Sequence, residues 1–333
     1  MAVMSSAVLF AACGGGGGTM ATSMGRPMEI LVTAEWSVWE SVVGDTLKSV
    51  LTEDMAGLNQ PEPMFEMIFM PIHKFNGTVA SHRNVVALDI NPKYAETAMN
   101  GGYDVHARPQ LVVSVTAPTA ESAAGYISEH RKELQQIFER AESAWLASQA
   151  KKKPNAEIEA KIEEMFGFKM TIPGQYFVGN SIDGDFLWIR DESPRLASLG
   201  IVIYSYPYSD RTNFEADSLL KRRDQFMALV PGEPEGSYMG TSTALDPQVE
   251  YMRVNGRFWA KMHGLWDMKG DFMGGPFVSY STLDTENNRV VCIDEYVFHP
   301  NEKKRDLVRR QESYILNVEF PGDEAIRNST AMN

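Results

Sequence analysis

The sequence predicts an α+β fold in two tandem halves, each sandwich-like, with an antiparallel or mixed sheet carrying helices on one face. Three observations lead there. At 333 residues the chain exceeds one typical domain. Short apolar runs with strand character alternate with stretches of helical periodicity. The order strand, helix, Pro-Glu break, strands, proline, helix occurs twice, which raises an internal duplication as an expectation, although few residues are identical between the two copies. The expected division is a signal peptide at 1–12, a lipidated cysteine and flexible linker at 13–27, halves at 28–168 and 169–325, and a disordered tail at 326–333.

The chain begins with MAVMSSAVLFAA, the length of a signal-peptide apolar core and too short to span a bilayer, which takes about 20 residues. Cys13 follows directly, then Gly14 to Gly18 and the polar TMATSMGRP. A glycine-rich linker of that kind reaches on the order of 20 Å over about 14 residues. It suits a tether between an anchored Cys13 and a folded body, against the alternative of an unprocessed tail with an incidental thiol.

MEILVTA then reads as a buried strand. Ser37-Val38-Trp39-Glu40 fits a capping box opening a helix to about Thr52, and GLNQPEP breaks the chain because proline lacks a backbone donor. Strands are expected at MFEMIFM, NVVALDI and PQLVVSVTA. After Pro118, Ala123, Ile127, His130, Leu134, Phe138, Ala141 and Trp145 recur at spacings of three and four. This apolar stripe predicts one long helix with His130 inside the core or at its boundary. Pro154 ends it, the adjoining lysines suit a solvated helix end, and a second helical piece runs to Phe166.

In the second half GIVIYSYPY reads as a strand. Thr212-Asn213-Phe214-Glu215 fits another capping box, and LLKRRDQFMALV reads as a helix ending at PGEPEG. Strands at VEYMRVNGRFWAKM, PFVSYSTL and RVVCIDEYVF lead into Pro300 and a helix through EKKRDLVRRQ. Its Leu307, Gln311 and Ile315 share the packed side, while Lys303, Lys304, Arg305, Arg309 and Arg310 suit a solvated face or, near an anchor, membrane phosphates.

The chain has 31 basic and 44 acidic residues, a formal charge of −13 that argues against a nucleic-acid partner. Its 44% hydrophobic and 23% charged residues are those of a globular protein. With Cys13 acylated, Cys292 has no partner for an intrachain disulfide. Its setting among apolar strand residues predicts an inert core thiol.

The densest chemical candidate is Gly264 to Tyr280, GLWDMKGDFMGGPFVSY. In one reading Trp266, Asp267, Lys269 and Asp271 converge on a partner or ligand, with Gly274 and Gly275 permitting close backbone approach. In the other the stretch is a hairpin connection in which Trp266 packs and the charges are solvated. No catalytic residue is assigned. A hydrolase reading would draw its acids from Asp267, Asp271 and Glu295, and Glu295 could share a strand face with His299.

A calcium-loop spacing from Asp284 through Glu286, Asn288 and Glu295 fails because Arg289 stands where the sharp turn needs glycine. The six histidines, at 73, 82, 106, 130, 263 and 299, form no metal-ligand pair at helical spacing. No phosphate loop, dinucleotide fingerprint or nucleophile elbow occurs, so neither a cofactor nor a metal is expected.

Taken together, LNQPEPMF, HARPQL, DFLWI, YSYPY, GSYM, GLWDMKGDFMGGPFVSYS and PNEKKRDLVRRQE are similar to stretches of an uncharacterised domain family of Bacteroidota cell-envelope lipoproteins. Phe10-Ala11-Ala12-Cys13 likewise resembles a lipobox, with Phe10 where the pattern prefers Leu and no positive residue ahead of it. The resemblance spans roughly residues 25 to 322. It implies an envelope protein held to a membrane by acyl chains on Cys13. It carries over no catalytic residue. The absence of acidic residues just after Cys13 leans toward the periplasmic side. The expected function is a binding or assembly module for an envelope protein or glycan partner, against a hydrolase or a structural spacer.

Overall fold

The computed structural model describes residues 20–182, 184–193 and 197–323. Cys13, the glycine run and the tail beyond Asp323 lie outside the described residues. The first half runs β1 (Glu29–Ala34), α1 (Val42–Leu51), β2 (Glu66–Pro71), β3 (Asn84–Ile90), β4 (Ala98–Tyr103), β5 (Leu111–Ala117), α2 (Ala120–Glu129) and α3 (Arg131–Ala150). Its sheet has the order β2-β1-β3-β5-β4, with parallel pairing throughout except for antiparallel β4. Parallel strands covered on both sides need continuous apolar runs, which EILVTA and NVVALDI supply. Helices α1 to α3 seal one face through Leu47, Ile127 and Phe138. Phe75 and Val79, on the connection to β3, pack on Leu31, Val85 and Val112 of the other face.

Two local expectations for this half are corrected. Ser37 caps nothing: a single turn at Trp36–Trp39 starts from Glu35 without a side-chain cap, and α1 starts only after Ser41, whose hydroxyl donates back to the Val38 carbonyl at 2.8 Å. The capping box that does form pairs Thr119 with Ser122 at the start of α2. The long helix after Pro118 is broken at His130, whose backbone (φ −99°, ψ 23°) ends α2. Its ring stacks on Tyr126 at 3.9 Å and its Nδ1 bonds the Tyr126 carbonyl at 2.9 Å, so the side chain serves the break between the helices.

The second half runs α4 (Ala156–Phe166), β6 (Phe177–Ile182), β7 (Phe186–Asp191), β8 (Ser198–Pro207), α5 (Ala216–Met227), β9 (Tyr238–Thr241), β10 (Gln248–Val254), β11 (Arg257–Lys269), β12 (Gly274–Asp284), β13 (Arg289–Phe298) and α6 (Arg305–Glu312). An eight-stranded sheet has the order β9-β11-β12-β13-β8-β7-β6, with β10 also on β11. Every pair in it is antiparallel. The grammar repeated in the sequence is therefore not repeated in the pairing: one sheet is mainly parallel, the other antiparallel, which argues against internal duplication. Thr212 to Glu215 again makes no capping box. A 3-10 turn at Arg211–Phe214 is capped by Asp210, and α5 follows from Glu215 without a side-chain cap.

Helices cover both faces of this sheet, where the sequence predicts one. On the first face Ile158, Ile162 and Phe166 of α4 and Val308 of α6 join Leu187, Ile201, Trp259 and Ile293. Helix α4 thus packs with the second sheet. On the other face Leu219 and Met227 of α5 meet Tyr204, Met262, Trp266 and Phe277. A buried ion pair fastens α5: Arg223 donates to Asp294 at 2.7 and 3.2 Å while its guanidinium lies 3.5 Å from the Phe277 ring centroid.

Of the five basic residues at 303–310 only Lys303 is exposed; the other four are half-buried or buried and do not form a solvated face. Lys304 and Arg305 are 2% and 4% exposed. Lys303 pairs with Glu66 at 2.9 Å, and Arg309 joins Glu139 of α3 to Glu312 of its own helix. This helix binds the two halves together. Among the described residues no helix is long and apolar enough to cross a membrane.

Candidate functional site

An open cleft of about 760 Å³ lies at one end of the second sheet. Asn255 (φ 51°) and Gly256 (φ 85°) form the two-residue turn joining β10 to β11, a conformation that Asn-Gly adopts with little strain. The turn fixes the register, pairing Arg253 with Phe258 and Tyr251 with Ala260. Alternation then sets Tyr251, Arg253 and Phe258 on one face of the sheet. Leu283, at the end of β12, adds to the cleft lining.

The opposite wall is the segment after β8. The Asp210 carboxylate accepts both the backbone N–H of Thr212 at 2.8 Å and its hydroxyl at 2.5 Å, which holds the 3-10 turn and lowers the acid's pKa through those hydrogen bonds. The turn brings Tyr208, Arg211, Phe214 and Glu215 to the cleft. Phe214 meets Phe258 edge-on at 5.4 Å and Tyr251 stacks on Phe258 at 6.0 Å. The Tyr251 hydroxyl donates to the Phe214 carbonyl at 3.0 Å, tying wall to floor.

Three guanidinium groups border these rings. Arg257 is fixed by Asp323 at 2.9 Å and by the Leu283 carbonyl at 2.8 Å. Arg253 donates to the Gly256 carbonyl at 2.8 Å and is otherwise exposed. Arg211 is exposed and makes no ion pair among the described residues. Aromatic faces flanked by cations suit a ligand with apolar surface and negative charge.

The stretch from Gly264 to Tyr280 is not an open loop. It is the β11–β12 hairpin, turning at 270–273. Trp266 is 1% exposed, its ring edge-on to Tyr296 at 5.2 Å and its indole N–H donating to the Val297 carbonyl at 3.3 Å. Gly274 and Gly275 are small for a packing reason. A Cβ at Gly275 would lie 2.1 Å from the Val297 carbonyl oxygen, and one at Gly274 would lie 2.9 Å from that of Trp266. Asp267 and Lys269 pair with each other at 2.6 Å on a part-exposed surface, and the Asp271 carboxylate accepts the Phe272 N–H at 2.7 Å. None of these residues lines the cleft.

The three carboxylates of the hydrolase reading are not gathered at one bond. Asp267 pairs with Gly274, whereas Glu295 pairs with Val278, itself opposite His263. Two inter-strand spacings and four residues along the strand separate the two acids, roughly 16 Å by strand geometry. Glu295 is 3% exposed and faces α6, where neither carboxyl oxygen has a hydrogen-bond partner among the described residues. Burial, with the nearby Glu312 carboxylate, pushes its pKa well up. Glu312 behaves oppositely: burial works to raise it, but Lys261 at 3.0 Å and Arg309 at 3.0 Å hold it at about 2. His299 lies beyond β13, its Nδ1 on the Lys303 carbonyl at 3.2 Å, so it does not join Glu295 inside. Among the described residues no group of three or more His, Cys, Asp or Glu side chains could hold a metal ion.

The cleft residues form no sequence motif because they come from three separated stretches. One signal was local: Asn255-Gly256 inside VEYMRVNGRFWAKM marks a hairpin, and the structure divides that expected single strand at this turn. No curated protein matches the chain. The solved structure of a mutant of protein Mog1 is similar over 49% of this chain and 96% of that one, at 9% identity and a TM-score of 0.32. Residues 23–151 match the domain of unknown function described as DUF8532, and residues 155–317 match the one described as DUF4837. Two successive segments of the chain are thus similar to two uncharacterised domains, and every residue lining the cleft lies within the segment matched by the second.

Proposed function

We propose that the protein is a binding or assembly module of the bacterial cell envelope, anchored through acyl chains on Cys13 and engaging its partner at the cleft between Phe214 and Phe258. One observation carries the binding role: aromatic side chains held in fixed relation to one another stay open to solvent, with Tyr251 at 59% and Phe258 at 36% exposure. Exposed rings beside an unpaired arginine raise the cost of leaving the surface bare and favour a complementary ligand. Support for the anchor comes from the sequence: an apolar leader, a cysteine after two alanines and a glycine-rich tether, on the periplasm-facing side of the membrane. Two acyl chains, each burying methylenes at about 0.8 kcal/mol apiece, would hold the chain stably.

The test is crosslinking in intact cells of the native host. The wild-type protein captures one reproducible neighbour. Phe258→Ala with Arg211→Ala loses that capture while the thermal unfolding profile stays close to wild type. Undiminished capture by the double variant sinks the cleft as the site.

A further inference from the structure

Strand β10 is an edge, paired only with β11. Its two-residue turn makes Val254 and Arg257 the first hydrogen-bonded pair, so Met252, Glu250 and Gln248 also bond inward to β11. The N–H and C=O groups of Val249, Tyr251 and Arg253 consequently point away from the sheet. No backbone hydrogen bond from any described residue reaches them. The side chains of Tyr251 and Arg253 line the cleft. A template for strand pairing and a pocket for side chains therefore meet at one edge. The edge at β6 differs, because its pairing slips register between Trp188 and Ile189, a device that blunts edges.

We infer that the partner is an extended peptide segment of a protein, which adds to the sheet as a strand on β10 and sets apolar and acidic side chains at the mouth of the cleft. This rests on the cleft being the binding site. Strand addition takes its hold from the main chain and its selectivity from alternate side chains. The charge pattern chooses the peptide: in a chain of formal charge −13, Arg211 and Arg253 border the cleft with no ion-pair partner among the described residues, Arg257 being held by Asp323, and the single carboxylate of the lining is Glu215. On the far face of β10, Glu250 is already paired with Lys261 at 3.1 Å, so the unpaired charge of this strand lies on the cleft side.

The probe is a fluorescent octapeptide with phenylalanine and glutamate at alternate residues along one face and threonine between them. Two further versions carry N-methyl groups on one or the other alternate set of amides. Strand addition predicts that one methylated version binds at least tenfold more weakly than the other. It also predicts that the parent peptide slows amide exchange across residues 249–253. Val249→Pro removes one outward donor without touching the cleft rings and should weaken the parent peptide severalfold. Equal binding by both methylated versions overturns strand addition. So does binding of chitohexaose without binding of the peptide, or no binding of either. In each of those cases the cleft stands if Phe258→Ala with Arg211→Ala still loses the in-cell capture, and falls with the inference if it does not.

Discussion

The Glu62 carboxylate accepts the backbone N–H of Lys304, 242 residues away, at 2.8 and 3.0 Å, and that of Arg305 at 2.9 Å. Helix α6 has no side-chain cap of its own at Lys304. A buried acid from the first half therefore satisfies the free donors at the start of a helix in the second, and its negative charge lies at the positive end of the helix dipole.

Removing that cap should loosen the joint between the halves. Glu62→Ala is expected to cost about 0.5–2 kcal/mol of stability, the range for a lost helix cap. Urea unfolding measures the loss. Hydrogen exchange should show faster amides at Lys304 and Arg305. Unchanged exchange there would show the cap to be dispensable.

What the sequence could show was local. Apolar runs placed most strands and proline breaks placed the ends of several helices; of the expected packed side of α6 only Gln311 is fully buried within the helix, beside Arg305, Val308 and Glu312, Leu307 being half-buried and Ile315 lying in the turn that follows. The errors have a common origin in partners far along the chain. Lys304 and Arg305 look like a solvated run until Glu62 and Glu66 arrive from the first half. For Trp266 the sequence left a contact residue and a packed hairpin residue both open, and pairing with β12 decides for packing by turning it inward while the glycines clear space beside it. The cleft is not legible in the sequence because Phe214, Tyr251 and Leu283 have no common spacing. Only the Asn255-Gly256 turn announced part of it.

Glu295 should make the fold less stable as pH rises. Its pKa is raised in the folded state by burial and by Glu312, so the native protein holds this proton more tightly than the unfolded chain does. Between the ordinary carboxyl value near 4.5 and the higher folded value, the unfolded state ionises first and stability declines. Glu295→Gln removes that decline. The variant should be more stable than wild type at pH 7, with the two converging below about pH 4. Parallel curves across that span would count against a titrating buried acid.

Glu312 should act in the other direction. Lys261 and Arg309 hold its folded pKa at about 2, below the ordinary 4.5. The stabilisation is fully present above pH 4.5 and fades as pH falls toward 2, because protonation of the native state breaks the pairing. Glu312→Gln should therefore be markedly destabilised at neutral pH, since Lys261 and Arg309 would stay charged and buried. Its deficit should shrink on acidification. Circular dichroism melts at pH 7 and pH 3 separate this from a simple packing defect, which would persist at both.

Thiol counting tests the core and the anchor together. Cys292 is 1% exposed on β13, with its sulfur 3.0 Å from the Ser281 hydroxyl, and burial pushes its thiol up to about 12. The reactive species is the thiolate, so the native thiol is both shielded and protonated at pH 8. A disulfide reagent added to folded protein from the native host should find no thiol, and should find one once guanidinium exposes the core. A total of one is the count expected when Cys13 carries acyl chains. A thiol that reacts in the folded state, followed by a second on unfolding, would mean that Cys13 is bare and would remove the anchor from the proposed function. A single fast thiol with no further gain on unfolding would contradict the buried position of Cys292.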